Sequence, residues 1–157
     1  MDISKELEKR VGEAMDMVPD MVAERATEYF KERFKEKEFD GTPWPGPGPN
    51  YKRTNGSLLV DTSALMNSIR PCLISAEKTV ISAGNSKVGY AKAHNEGFIG
   101  SVVVKEHKRT SKKGKKYTVK QHTQNRKIPQ RQFVGESRAL YQILKTDIEK
   151  LFKSVMK

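Results

Sequence analysis

The residues of this chain best suited to chemistry are its three histidines, because neutral imidazole is the commonest metal ligand in proteins. They are His94, His107 and His122. No two of them are spaced as a ligand pair, and no cysteine or acidic cluster accompanies them, so their pattern does not indicate a zinc site. His94 also lacks the second histidine, four residues later, that a zinc-protease helix needs. We predict that His94 is structural, either bonding near Tyr90 or capping its helix.

Nucleophilic catalysis and phosphate binding by a glycine-rich loop are not indicated either. No Gly-X-Ser-X-Gly elbow surrounds a serine, and the single cysteine, Cys72, lies in an apolar segment where cysteine behaves as a small hydrophobic residue. Residues 113–115 (KGK) lack the glycine framework and the following helix of a phosphate-binding loop. Acids at a spacing of four in residues 24–32 alternate with cations, which is typical of a solvated helix face. We predict no catalytic activity, no metal and no cofactor.

Positive charge is the strongest chemical signal. The net charge is +11, and residues 105–127, which we call the basic arm, hold ten Lys or Arg and one acid, Glu106, for a local charge of +9. The rest of the chain has 20 basic and 18 acidic residues, or +2. Such an arm can meet phosphate, an acidic protein face or solvent. We expect partner contacts from six residues near its tip: Lys108, Arg109, Lys112, Lys113, Lys115 and Lys116.

Two side chains outside the arm are further candidates for partner contacts. Trp44, the only tryptophan, lies among prolines and glycines, where its ring could pack on the core, dock on a partner or stack on a base. Arg131, held between Pro129 and Phe133, could pair with a carboxylate in the core or bind a partner.

Two short segments are predicted to form one structural site. In residues 88–97, Tyr90 and His94 lie four positions apart on one face of a short helix. Gly97 ends that helix in a left-handed conformation that only glycine adopts without strain.

The second segment of this site is residues 128–135. Pro129 fixes an extended entry, and Arg131 and Phe133 are placed as on a strand. Gly135 then opens the final helix.

Two long helices must carry these segments. Apolar residues recur every three or four positions from Ile3 to Phe34, which predicts an amphipathic helix. Pro19 removes a helical hydrogen bond, so we expect either two helices, the second over about residues 20–37, or one bent helix. A similar stripe from Leu140 to Val155 predicts a closing helix, with lysines 150, 153 and 157 near its negative end.

The middle of the chain is predicted to contain a loop, a short helix and two hairpins. Four prolines and three glycines in residues 39–49 exclude regular structure there. Asp61 and Thr62 are cap-type residues before a predicted two-turn helix. Residues 71–75 and 79–83 form one predicted antiparallel hairpin, and residues 101–107 and 117–122 form a second, with a cationic tip.

Together these elements predict a single α+β domain whose helices pack on a small, mostly antiparallel sheet. Its parts are an N-terminal helical region (1–38), a Pro/Gly-rich loop (39–57), a sheet with short helices (58–135) that includes the basic hairpin (101–123), and a C-terminal helix (136–157). The charged first ten residues and the lack of a run of 18 apolar residues predict a soluble protein that neither spans a membrane nor has a signal peptide.

Five segments form a pattern by their order and spacing: FDGTPW (39–44), LVDTSALMNSI (59–69), YA (90–91), HNEG (94–97) and IPQRQFVG (128–135). In these segments the chain resembles the phage virion morphogenesis family, the tail-completion proteins of tailed phages and prophages. It departs from the family pattern at Ser63, where such proteins usually have glycine, and in the Lys/Arg content of its hairpin.

The resemblance implies a non-enzymatic virion component, assembled in the host cytoplasm, that forms a homo-oligomeric ring at the tail end or neck. Its implied partners are neck, connector or tail-tube proteins, and no membrane. The residues by themselves leave an alternative open, a small nucleic-acid-binding module that contacts DNA through the basic arm.

Overall fold

The computed structural model describes residues 3–48 and 56–156 of the 157. Residues 49–55 of the predicted 39–57 loop, and residues 1, 2 and 157, lie outside these ranges. The helices are α1 (Ile3–Glu36), α2 (Ala64–Asn67), α3 (Ala91–Glu96) and α4 (Arg138–Val155). The strands are β1 (Glu38–Phe39), β2 (Thr42–Pro43), β3 (Arg70–Ile74), β4 (Thr79–Ser82), β5 (Phe98–Val104), β6 (His107–Thr110), β7 (Lys116–Val119) and β8 (His122–Ile128). The predicted α+β class is confirmed.

All strand pairing in the described residues is antiparallel. The strands form four separate pairs, β1–β2, β3–β4, β5–β8 and β6–β7, rather than one continuous sheet. Helix α1 packs against α4 on one side and against β3 and β4 on another. The long N-terminal helix therefore joins elements that the strands alone do not connect.

Helix α1 is continuous through Pro19, so the alternative of two separate helices is wrong. Proline deprives only one carbonyl, that of Met15, of its helical partner, and Met15 lies on a solvated part of the helix, 57% exposed. Ala14, before Pro19, and Ala23, after it, are both buried, with exposed fractions of 1% and 2%. Tertiary packing outweighs the missing hydrogen bond.

The core is an aromatic cluster centred on Phe34. Its ring lies 5.5 Å from that of Trp44, edge-on, and 5.1 Å from that of Phe133, measured between centroids. Phe133 is fully buried, and Leu65 and Ile69 of the α2 region belong to the same cluster. Aromatic edge-to-face pairs add to the stabilisation from buried area.

Residues 38–43 form a tight hairpin, so the expectation of no regular structure in 39–49 is wrong at its start. Phe39 pairs with Thr42 across a turn made by Asp40 and Gly41, both with positive φ, 47° and 78°. Asp-Gly is a preferred dipeptide for such turns because both residues tolerate positive φ. After Pro43, the described part of the loop has no strand or helix.

The basic hairpin is confirmed, but each of its arms is divided into two strands. β5 pairs with β8 over seven residues, and β6 pairs with β7 over four. At the two interruptions, the His107 and His122 rings donate from Nδ1 to the carbonyls of Lys105 and Lys120, over 2.9 and 3.0 Å. These local bonds satisfy backbone carbonyls where the ladder is broken.

The hairpin predicted over residues 71–83 is present as β3–β4. The pairing register shifts between Pro71 and Leu73, and all five residues of β3 are exposed, including Cys72. The expectation that Cys72 behaves as a small hydrophobic residue of an apolar strand is therefore wrong, because the whole of β3 lies on the surface.

Helix α2 is one turn long, shorter than the two turns predicted. Its N-cap is Ser63 rather than Asp61 or Thr62, with φ of 57° and no side-chain capping bond. A φ of this size is one that glycine adopts more readily than serine. In the described part of the chain, no helix is both long and apolar enough to cross a membrane.

Candidate functional site

The segments 88–97 and 128–135 meet as predicted, and we call their contact the joint. The Arg131 backbone N–H donates to the His94 carbonyl over 2.7 Å. The Asn95 side-chain oxygen accepts from the backbone N–H groups of Phe133 and Val134 over 2.9 and 3.0 Å. The expectation of a strand through Arg131 and Phe133 is wrong, since β8 ends at Ile128. The hydrogen bonds that a neighbouring strand would give to this segment come instead from the Asn95 side chain of α3.

Gly97 ends α3 with φ of 78° and ψ of 165°, a region that is open almost only to glycine. A Cβ atom at Gly97 would lie 3.2 Å from the backbone nitrogen of Gln130. The glycine is required both by its conformation and by the close approach of the segment after Pro129. Its counterpart Gly135 does not open α4: it lies two positions before the N-cap, Ser137, and three before the first helical residue, Arg138.

The rings of Tyr90 and His94 are in T-shaped contact at 5.8 Å. His94 Nδ1 is buried and has no hydrogen-bond partner among the described residues, so the contact with Tyr90 is between rings and not a hydrogen bond. Burial, and next the positive charge of Arg131, lower the pKa of His94. This environment keeps the imidazole neutral.

The side chains of Arg131 and Trp44 both form hydrogen bonds between the Pro/Gly-rich loop and the joint. Arg131 is 6% exposed and donates from Nε and Nη2 to the carbonyls of Pro45 and Gly46, each over 2.8 Å. In return, Trp44 Nε1 donates to the Gln132 carbonyl over 2.6 Å. These two Arg131 bonds go to main-chain carbonyls.

The indole of Trp44 is 8% exposed, with its N–H already bonded inside the subunit. Of the three alternatives for this ring, the geometry favours packing on the core. We therefore leave Trp44 out of the proposed contact surface below.

Asp40 is a structural residue that sequence reasoning missed. Its Oδ1 accepts from Tyr29 Oη over 2.9 Å and from Ser137 Oγ, and its Oδ2 accepts from the Arg138 backbone N–H over 2.7 Å. Burial alone would raise the pKa of Asp40, but the hydrogen bonds from Ser137 and Arg138 lower it overall. Ser137 accepts in turn from the Leu140 N–H. The carboxylate thus caps α4 from across the fold.

The described residues do not bring metal-ligating side chains together. No three His, Cys, Asp or Glu side chains within 3–48 and 56–156 lie close enough to hold a metal ion. A cleft of about 780 Å³ opens beside the joint, and its described lining includes His94 and Asp61 but no serine, threonine or cysteine. Within the described lining, Tyr90 supplies the only side-chain hydroxyl, and its ring packs edge-on against that of His94.

The basic arm is a paired hairpin with an exposed charged surface. All six predicted contact residues, 108, 109, 112, 113, 115 and 116, are exposed. The tip is closed by hydrogen bonds from the Ser111 N–H to the Lys115 carbonyl (2.8 Å) and from the Lys115 N–H to Ser111 Oγ (3.0 Å). In the described structure, none of the ten arm cations lies within 4.0 Å of a carboxylate.

The family model for phage virion morphogenesis proteins matches residues 2–153, nearly the whole chain. The chain belongs to the phage virion morphogenesis family. No curated protein and no solved structure matches it. As a member of this family, it has a structural or assembly role in the formation of a phage particle.

The segments that link this virion morphogenesis protein to its family converge in three dimensions. Phe39 and Trp44, Leu65 and Ile69, and Phe133 all belong to one buried cluster. Ser68 Oγ accepts from the Gly84 N–H over 2.9 Å and donates to the Leu65 carbonyl over 2.6 Å. These segments build the core and the joint, whereas the basic arm extends from them.

Proposed function

We propose that this virion morphogenesis protein is a non-enzymatic subunit that completes the tail or joins it to the head. It assembles as a ring at the tail end or neck and contacts neck, connector or tail-tube proteins through the basic arm. Assembly takes place in the host cytoplasm, and the protein remains in the virion. The family match supports a role in phage assembly, and the exposed positive charge of the arm supports a role in contacting another molecule.

The observation that carries the proposal is the absence of described carboxylate partners for the arm's +9 charge. Crowded like charges raise the free energy of an isolated subunit, and surface pairs seldom stabilise a fold by more than about 1 kcal/mol. An arm of this kind is therefore explained by a counter-charge on another molecule.

The proposal is tested by shortening the tip. Replacing residues 111–115 with Asn-Gly keeps the pairing of Thr110 with Lys116 and removes Lys112, Lys113 and Lys115. We expect the shortened protein to fail in restoring particle assembly to a phage that lacks the gene.

A matched control keeps the tip length and changes the same three lysines to arginine, which preserves the charge. This variant should restore assembly. Complementation by the shortened protein at wild-type efficiency would remove the arm from the mechanism.

A second candidate function is nucleic-acid binding by the same arm. The specific observation is that Tyr117, 45% exposed, lies directly across the ladder from Arg109, an arrangement that suits phosphate contact beside base stacking. If about five phosphates are neutralised, the binding constant falls with salt with a log–log slope near −0.9 per contact on duplex DNA. A DNA titration without detectable binding at about 50 mM salt eliminates this candidate.

A further inference from the structure

We infer that the outer surface of the long hairpin docks on helix α1 of a second copy of this chain, along the acid-lined turns between residues 11 and 24. The inference rests on the proposed function in one respect, that the protein assembles with itself. It goes further by naming both surfaces of the contact.

The hairpin offers an exposed apolar patch at its base and a cationic end. The register of β5 with β8 puts Ile99 and Val103 on the same face as Lys127, and the two apolar side chains are 80% and 57% exposed. Beyond them, β6, β7 and the tip expose the lysines. No helix of the described subunit packs extensively on these strands.

Helix α1 offers the complementary surface. Residues 11–24 contain four acids and no lysine or arginine. Glu13, Asp16, Asp20 and Glu24 are spaced by three, four and four, which places them on one face, and all are exposed. Met17, 58% exposed, adjoins this acidic stripe.

The acidic stripe is also largely uncompensated within its subunit. Asp16, Asp20 and Glu24 take part in no ion pair among the described residues, and Glu13 lies 3.9 Å from Lys9, a pair that is mostly exposed to solvent. Both surfaces therefore combine charges of one sign with exposed aliphatic or thioether side chains. Such complementarity steers association and selects the partner.

The dimensions of the two surfaces agree. Glu13 and Glu24 are eleven residues apart, about 16 Å along a helix. The four-residue β6–β7 ladder is about 13 Å long, and its turn extends it. The β6–β7 ladder with its turn is therefore about as long as the acidic stripe.

The contact joins two different patches of the same chain, so it can repeat head to tail. No ion pair links the arm to α1 within the described subunit. A contact between different patches continues from copy to copy and closes into a ring when the rotation permits. An arm-to-stripe contact would give the head-to-tail connection that a ring needs.

The test uses the full chain and two charge-reversed variants. The stripe variant has Asp16→Lys, Asp20→Lys and Glu24→Lys, and the arm variant has Lys108→Glu, Lys112→Glu and Lys113→Glu. A control, Glu77→Lys, Glu136→Lys and Glu149→Lys, changes the net charge as much as the stripe variant at exposed positions elsewhere. Self-association is measured by sedimentation velocity at about 50 mM salt, where screening is weak, and folding is checked by circular dichroism.

We expect the wild type to form oligomers and each variant to associate at least about tenfold more weakly, because three attractive pairs become repulsive. The control should associate like the wild type. An equimolar mixture of the arm and stripe variants should associate like the wild type, because the intact arm then meets the intact stripe and the reversed arm meets the reversed stripe. A chain with both reversals should regain association.

A wild-type protein that stays monomeric, or a stripe variant that associates as well as the control, would overturn the inference. So would DNA binding that the arm variant loses while its self-association is unchanged. If the triple stripe variant does not fold, Asp16→Lys alone is used for the same comparison. Complementation separates the two proposals: a stripe variant that restores assembly when the shortened arm does not would overturn only the contact named here.

Discussion

At the scale of one residue, Asn95 provides the hydrogen bonds that a neighbouring strand would otherwise give to the segment around Phe133. Its side-chain oxygen accepts two consecutive backbone N–H groups, those of Phe133 and Val134. Buried N–H groups without partners would destabilise the core by about 1–3 kcal/mol each. One amide therefore allows an irregular segment to bring Phe133 into the centre of the aromatic cluster.

His94, close by, should make stability depend on pH. Because its pKa is lowered in the folded state, the unfolded chain binds a proton first as the pH falls below the ordinary value of 6.5. Its contribution is intact above pH 6.5 and is lost as the pH falls toward the folded pKa. We expect His94→Phe, which keeps the ring contact with Tyr90, to lose less stability than the wild type between pH 7.5 and 5.5.

The measurement is the free energy of unfolding from urea titrations at both pH values. His122→Phe, at an exposed position, is the control and should keep the wild-type slope. An unchanged slope in His94→Phe would show that His94 is not the source of the dependence.

Ser63 is strained in a way that glycine would relieve. Its φ of 57° lies in the left-handed region, which disfavours residues that have a Cβ. We expect Ser63→Gly to raise the free energy of unfolding by about 0.5–1 kcal/mol, less than the full relief of strain because glycine also loosens the unfolded chain. Thermal unfolding measures it. Ser86→Gly, where φ is not positive, should destabilise instead, and a Ser63→Gly protein that behaves the same way would contradict the argument.

At the scale of elements, α4 depends on a residue from the β1–β2 turn. Asp40 accepts the Arg138 N–H and holds Ser137 in place as the N-cap. We expect Asp40→Ala to lower the free energy of unfolding by about 1–2 kcal/mol, the usual effect of a lost cap. Because hydrogen bonding lowers the folded pKa of Asp40, its contribution is present above the ordinary value of 3.8 and is lost as the pH falls through the folded pKa.

Asp40→Asn separates the cap from the turn, since asparagine also tolerates positive φ. It should destabilise less than Asp40→Ala in urea titrations at pH 7. An equal loss in both variants would assign the whole effect to the negative charge.

The Pro/Gly-rich loop depends in the same way on Arg131. Its two charged hydrogen bonds to the carbonyls of Pro45 and Gly46 bridge elements that are far apart in sequence. We expect Arg131→Ala to lower the free energy of unfolding by about 2–4 kcal/mol, and Arg131→Lys, which cannot reproduce the fork, by part of that. Melting temperatures decide it, and an unchanged value with lost particle assembly would place Arg131 at an interface instead.

At the scale of the whole molecule, the residues that stabilise the fold and those that carry most of the positive charge lie in different parts of the subunit. The aromatic core, the joint and the α4 cap lie in the body, whereas the basic arm projects from β5 and β8. We expect the isolated protein with residues 111–115 replaced by Asn-Gly to unfold within about 0.5 kcal/mol of the wild type in urea, because exposed charges contribute little. A loss of soluble protein would show that the arm belongs to the folding core.

The sequence by itself determined the elements that local forces decide. The stripes from Ile3 to Phe34 and from Leu140 to Val155 fix the two long helices, and the glycine at position 97 fixes the end of α3. Apolar periodicity and backbone sterics act over a few residues, so they can be recognised without a partner. The family, too, was recognisable from short segments and their order.

Only the tertiary structure decided which groups meet across long stretches of chain. Asp40 caps a helix 98 residues later, Asn95 bonds residues 38 and 39 positions away, and Trp44 donates across 88. No local rule selects among the many possible acceptors for a buried N–H, because the choice depends on which elements the packed core brings within 3 Å. For the same reason the exposure of Cys72 and the continuity of α1 through Pro19 could not be predicted, since each follows from the elements packed around it and not from the residue type.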